Sequence, residues 1–336
     1  MAASVTLNDV AKAAGVSIAS ASRAINGLDT VTEEVRERVL EAASRLKYVP
    51  HGAARALAMS RTNTIGVILP DIYGEFFSEI IRGIDVGARA SGLHILVSGS
   101  HGDLNEAIKA VRAMAGRVDG LLIMAPYAEA GDLSGKLPVN MPLVMMGGVG
   151  GQAALPSLVV DNYGGALEAV RHLHEQGCRR IAHIAGPQGN LEAQDRLQGY
   201  LDGLKEAGDQ VPLVVPGDFT DKAGYDAVRR LLEADDLPDG LFAANDMMAL
   251  GASLGLREAG LSMPADVAVI GFDDIPVTRY ASPPISTLRA GVFEIGRRSL
   301  ELLSALIERN GTEASSSAAS LIVRPELVVR ESSRRR

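Results

Sequence analysis

Arg23 stands among small neutral side chains in VSIASASRAING, residues 16–27, and its guanidinium is the sharpest chemistry that stretch offers. In a DNA major groove an arginine donates two parallel hydrogen bonds to N7 and O6 of guanine. Ser17, Ser20, Ser22 and Asn26 add short donors suited to phosphate oxygens. Helical spacing puts Ile18, Ala19, Ser22, Arg23 and Asn26 on one face and Ala21, Ala24 and Ile25 on the other. Lack of bulk on the outer face lets the helix axis approach another surface closely, as a helix entering a groove must. The competing reading is an Ala/Ser helix packed against its own protein.

A second set of candidates follows apolar runs. Asp71, Phe76 and Phe77 come after IGVIL, and Phe219 comes after PGD. Asn245 and Asp246 end LFAAND, and Asp273 and Asp274 end VIGFDD. In parallel sheets, ligands bind at the carboxyl ends of strands, so these positions are where binding chemistry is expected. Asp246 and Asp274 read better as caps and crossover supports, and Phe77 stands between core and cleft.

The elements that must hold both sets can be read from the pattern. Residues 5–50 parse as three short helices. Thr6 with Asp9 opens the first as a capping box, and its inward face is Leu7, Val10, Ala11 and Ala14. Gly15 supplies a left-handed turn residue, and Ser17 caps the second helix. The third begins at Thr32, buries Val35, Val39, Ala42 and Leu46, and ends near Tyr48 before Pro50. Residues 51–62 form an Ala-rich linker, too short to hold a helix alone in water. From Ile65 onward, apolar runs such as IGVIL, DGLLIM, SLVV and VAVIGFDD alternate with amphipathic stretches. That alternation predicts parallel sheets covered on both faces, in two doubly wound lobes with a cleft between them. The expected fold class is thus an all-α head on a two-lobed α/β body. Lobe one takes about 63–160 plus 291–320, and lobe two about 161–290 plus 321–330. GTEASSSAAS reads as a surface loop and residues 331–336 as a disordered tail.

Composition narrows the class. The 336 residues are 47% hydrophobic, enough for a large core. The formal charge of −8 is uneven, with about +2 over residues 1–61 and −10 over the rest, as expected of a polyanion-binding module on an acidic body. One cysteine, no secretory signal and no membrane-length apolar run predict a cytoplasmic protein, nucleoid-associated where its head binds DNA. GGVGGQA at 147–153 superficially fits a dinucleotide site and leaves an NAD-linked enzyme as a remote alternative. Pro156 and SLVV arrive too soon for the helix such a site needs. There is no phosphate-binding Walker loop, no G-x-S-x-G elbow and no metal-ligand histidine spacing, so neither cofactor nor metal is expected.

Thr6, Asp9, Val10, Ala11, Ala14, Gly15, Val16, Ser17, Ser22, Arg23, Asn26, Tyr48 and Pro50 follow in the order typical of one family of heads. The segment resembles the helix-turn-helix head of the lactose/galactose repressor family, and the body resembles that family's type I periplasmic-binding-protein fold. The resemblance implies Ile18 and Ala19 as the variable base-reading pair and Arg23 as the constant base contact. It implies further DNA contacts from Thr6, Ser17, Ser20, Ser22, Asn26, Tyr48, His51 and Ala54. In the linker it implies a hinge helix with Leu57 wedged in the minor groove and Arg55 beside it. In the body, Arg196 matches the family's R-x-x-G-F/Y in DRLQGY. With Asn245 and Asp273 it is implied to reach an effector's heteroatoms, while Phe76 and Phe219 pack its faces. Carboxylate, amide and guanidinium around an aromatic platform suit a polyol. The implied function is a ligand-responsive repressor of carbohydrate-utilisation genes, binding a pseudo-palindromic operator as a homodimer. A purine, a sugar phosphate or another metabolite is the alternative effector. Gly147 and Ala290 stand where some relatives carry Asp and Gln, which implies a roomier cleft, as for a disaccharide.

Overall fold

The computed structural model describes residues 5–27, 30–49, 61–127, 141–148, 155–208, 211–234, 236–309 and 320–335. The chain divides into two compact units, Met1–Thr62 and Asn63–Arg336. His51, Ala54, Arg55 and Leu57 lie outside the described residues, as do residues 310–319.

In the first unit, α1 (Leu7–Ala14), α2 (Ile18–Ile25) and α3 (Glu33–Arg45) surround one small core. Asp9 N donates to Thr6 Oγ1 at 3.3 Å and Thr6 N donates to Asp9 Oδ2 at 2.9 Å, closing the capping box. The Thr6 hydroxyl and backbone N–H hold the Asp9 carboxyl below its usual range. Gly15 ends α1 with φ 67°, a conformation in which a Cβ would be strained. Ser17 then caps α2, accepting from Ser20 N at 3.0 Å. Val10, Ala11, Ala14, Ala21, Ala24, Val39 and Ala42 are buried together. The alanines let three short helices touch without a large side chain between their axes.

The second unit is two sheets built on the same plan. β1 (Thr64–Leu69), β2 (His94–Gly99), β3 (Gly120–Ile123), β4 (Leu143–Met146), β5 (Ser157–Val160) and β11 (Ser320–Val323) run parallel in the order β2-β1-β3-β4-β5-β11. β6 (Ile181–Ile184), β7 (Leu213–Val215), β8 (Gly240–Ala243), β9 (Ala268–Phe272), β10 (Ser286–Arg289) and β12 (Glu326–Val328) form the other, ordered β7-β6-β8-β9-β10-β12. There β12 alone runs antiparallel, against β10. In the first lobe α4 (Glu75–Ala90) packs on α10 (Val292–Glu308), with α5 (Leu104–Met114) against β1. In the second, α6 (Asn162–Glu175) packs on α7 (Leu191–Glu206) and α8 (Asp221–Glu233) on α9 (Asp246–Glu258). Strands buried on both faces explain the continuous apolar runs: every residue of β3, β4, β6, β8 and β9 is buried.

Two expectations change. β11 pairs with β5 through Val323, so the final crossing between lobes falls at 324–325 rather than at 321. Of the segment read as a disordered tail, residues 331–335 are docked against the second lobe. Ser332 and Ser333 are fully buried. Ser332 Oγ donates to Val269 O at 2.7 Å and accepts from Ser286 N at 2.8 Å, while Ser333 Oγ lies 2.7 Å from His172 Nε2. The Arg335 guanidinium donates to the carbonyls of Pro264, Asp239 and Asp266. Short hydroxyls and one fork-shaped donor thus satisfy backbone groups that the sheet leaves open. Deleting residues 331–336 is expected to lower the melting temperature, at about 1 kcal/mol per lost hydrogen bond. An unshifted thermal melt would contradict the docking.

Candidate functional site

In the head, α2 presents Ser17, Ile18, Ala19 and Arg23 exposed, with Ser20, Ser22 and Asn26 half-buried. Ile18 is 51% exposed, a large apolar side chain with no role in the head's own core. Several hydroxyls already have local partners. Thr6 Oγ1 donates to Asp9 Oδ2 at 2.7 Å, Ser17 Oγ lies 2.9 Å from Ser20 Oγ, and Asn26 Nδ2 donates to Ser22 Oγ at 3.4 Å. Thr6 and Ser17 therefore act first as caps. Tyr48 packs partly against the head core.

In the body, a cavity of about 450 Å³ opens at the carboxyl ends of the strands of both lobes. Asp71, Phe76, Phe77, Arg196, Phe219, Asn245 and Asp273 all line it. Phe77 is both core and lining, since it also packs partly buried against the main core cluster. Arg196 is the centrepiece, 4% exposed on α7. Its Nε donates to Asn162 Oδ1 at 2.8 Å, another nitrogen donates to Ala244 O, and its plane stacks on Phe272 at 3.9 Å from the ring centroid. A third nitrogen lies 3.6 Å from Asp273 Oδ1. That is within ion-pair range but too long for a good hydrogen bond, and Asp273 Oδ1 is left buried without a hydrogen-bond partner.

Burial pushes the Asp273 carboxyl up to about 7, against the pull of Arg196 and with a push from Glu192. A raised native pKa means that the folded state binds a proton which the unfolded chain has released. Its stabilising effect is full below the ordinary carboxyl range and is lost as pH rises through about 7. Asp273→Asn is therefore expected to flatten the fall in melting temperature between pH 5 and pH 8; curves parallel to the parent protein's would contradict this.

Backbone strain marks the same places. Phe219 and Asp273 hold φ of 70° and 112°, left-handed values that cost side-chain-bearing residues about 1–3 kcal/mol each. Neighbours fix them: Asn245 Nδ2 donates to Phe219 O at 3.0 Å while its Oδ1 caps α9, and Asp273 N donates to Leu288 O at 2.8 Å. Asp246 and Asp274 are supports. Asp246 accepts from Ile275 N and from the Thr287 hydroxyl, and burial followed by Asp273 keeps its carboxyl well above the usual range. Burial would raise Asp274 too, but Arg330 and Arg289 hold it below. Tyr200 is fully buried, its hydroxyl donating to Ile181 O and accepting from Leu213 N.

The cleft also contains residues that the sequence reading missed: Glu75, His101, Tyr127, Asn190, Glu192, Asp218, Thr220 and Asp221. The expectation of extra room fails. Ala290 is 2% exposed within the main core and does not line the cavity, and a Cβ on Gly147 would collide with the Glu192 carboxylate. The volume beside Gly147 is filled from the opposite lobe.

Two family models match the chain: "Bacterial regulatory proteins, lacI family" over residues 6–51 and "Periplasmic binding protein-like domain" over residues 170–333. The HTH-type transcriptional repressor CytR of Escherichia coli (strain K12) is 36% identical over 98% of this chain and 96% of its own length. The chain belongs to the LacI family of bacterial regulatory proteins. Among solved structures, the lac repressor dimer bound to operator and the anti-inducer ONPF superposes with a TM-score of 0.87 at 29% identity, covering 98% of this chain and 99% of that one. A CelR–cellobiose complex matches with a TM-score of 0.71 at 33% identity, covering 98% and 99%. As a LacI-family member, the protein is a ligand-responsive DNA-binding transcriptional regulator, not an enzyme. No helix among the described residues is long and apolar enough to cross a membrane.

Proposed function

We propose that this protein is a cytoplasmic, homodimeric repressor whose effector is a neutral mono- or disaccharide, bound in the cleft that holds Arg196 and Asp273. The lining's charge balance carries this reading. Asp71, Asp218, Asp221 and Asp273 line the cavity, together with Glu75 and Glu192, against Arg196 and His101 among the described residues. The Arg196 guanidinium already donates to Asn162 and Ala244 O, and its remaining nitrogen lies 3.6 Å from the Asp273 carboxyl. A phosphate or carboxylate ligand would meet carboxylates without a cation to receive it, which disfavours a sugar phosphate. Hydroxyl groups meet the lining well, since each donates to a carboxylate and accepts from an amide. Phe76, Phe77, Phe219 and Tyr127 add aromatic surface to the lining, suited to the apolar side of a sugar ring. The volume lies within the roughly 300–1,000 Å³ of small-molecule sites. Cellobiose in the CelR complex is consistent with a disaccharide here.

In the head, the exposed face of α2 would enter the major groove of a pseudo-palindromic operator, with Ile18, Ala19 and Arg23 reading base edges and the hydroxyls of Ser17, Ser20 and Ser22 meeting phosphates. Two copies of the chain would set the half-site spacing. The hinge candidates Arg55 and Leu57 would engage the minor groove.

The test is a thermal-shift screen of the full chain against sugars paired with their phosphate esters, with purines as a further arm. A ligand at a hundred times its Kd stabilises the native state by about 2.7 kcal/mol. A neutral sugar that shifts the melt while its phosphate ester does not supports the reading; a phosphate ester or purine acting alone overturns it.

A further inference from the structure

The cleft's carboxylates do not all face a prospective ligand. Glu75 sits in the first turn of α4 in the first lobe, and its Oε2 accepts from the backbone N–H of Val277 in the second lobe at 3.1 Å. Glu192 sits in the first turn of α7 in the second lobe, and its Oε1 accepts from the backbone N–H of Gly148 in the first lobe at 3.4 Å. Beside it, Leu191 N donates to Pro126 O across the cleft at 2.9 Å. Each lobe thus sends one carboxylate to a main-chain amide of the other.

A second observation, steric rather than polar, supports the Glu192 contact. Gly147 and Gly148 hold φ of 78° and 101°, and a side chain on Gly147 would collide with the Glu192 carboxylate. The missing side chain at Gly147 thus leaves the space that the Glu192 carboxyl group occupies. At 3.1 and 3.4 Å these are long hydrogen bonds, and burial raises the Glu192 carboxyl, so each adds a modest bias and the two act together on a hinged pair of lobes.

We propose that Glu75 and Glu192 form a reciprocal clasp that holds the two lobes closed before any ligand arrives, setting the open–closed balance on which the effector acts. This rests on reading the cavity as the effector cleft. It divides the lining acids by role: Asp273, which among the described residues makes no contact across the cleft through its side chain to a backbone amide, is left to the ligand, while Glu75 and Glu192 serve closure. A ligand binding the closed state then gains from closure already present, because part of the ordering has occurred without it.

The test is hydrogen exchange on the full chain without any ligand, so its failure is separate from failure of the sugar screen. Glu192→Ala is expected to speed exchange of the Gly148 amide, and Glu75→Ala that of the Val277 amide, each by about tenfold or more and each in the lobe opposite the substitution. Glu192→Gln keeps an acceptor oxygen and is expected to retain most of the protection. Unchanged exchange, or a rise spread evenly over both lobes, overturns the clasp. A double-mutant cycle guards against general destabilisation: Gly147→Ala is expected to lower the melting temperature more in the parent protein than in Glu192→Ala. Backbone strain at residue 147 is common to both backgrounds, so additive effects would also overturn the proposal.

Discussion

Arg23→Ala is expected to weaken operator binding by about 1–3 kcal/mol per head, roughly 5- to 150-fold, and to relax preference at a single operator position. The expectation starts from placement. Arg23 lies exposed in the last turn of α2, while Ala21 and Ala24 on the opposite face anchor the helix to the head core. Truncation at Arg23 removes no core contact, so stability should hold while recognition falls. A phosphate contact would behave differently, weakening all sequences alike and lowering the salt dependence by about one counterion. Binding-site selection with both proteins, at fixed salt, separates the outcomes. Unchanged affinity and unchanged preference would remove Arg23 from the interface.

Asp273→Ala is expected to abolish the effector's influence on DNA binding while leaving ligand-free operator affinity within a few-fold of the parent protein. Asp273 projects from the end of β9 into the cavity with one oxygen buried and without a hydrogen-bond partner. That oxygen lies 3.6 Å from Arg196, and the part of the carboxyl group that lines the cavity is what a ligand hydroxyl can donate to. Removing the carboxylate removes both the donor's target and the attraction between Asp273 and Arg196. The head is a separate compact unit with its own core, so its helices should be unaffected. Anisotropy titrations of labelled operator with and without effector decide the matter. A fully responsive variant would show that ligand recognition lies elsewhere.

The sequence reveals most where its signals are local. The capping box of Thr6 and Asp9, the left-handed Gly15 and the alanine contacts all act within a few residues, and α1 to α3 follow from them. The central strands are legible as apolar runs because both faces are buried. β10 hides because STLR mixes polar and apolar side chains, and Ser286 and Thr287 are buried through hydrogen bonds rather than hydrophobicity. The docked end of the chain hides for the same reason: ESSRRR carries no apolar residue, and hydroxyls meeting backbone groups hold it.

In the cleft, residues at the ends of strands were findable, because parallel sheets aim those ends at the site. Glu192 was not. It comes from the first turn of a helix, and only the meeting of two lobes brings it to Gly147 and Gly148. Ala290 shows the converse error, where a family position suggested the cleft and packing placed it in the core.

The central claim is that occupancy of the cleft controls DNA binding. The most direct measurement is the affinity of the full-length protein for an operator selected from random duplex DNA, with and without a sugar that shifts its melt. A change of tenfold or more, equivalent to about 1.4 kcal/mol of coupling between the sites, is the expected result, and it should vanish in Asp273→Ala. An affinity that the bound sugar leaves unchanged would contradict the account.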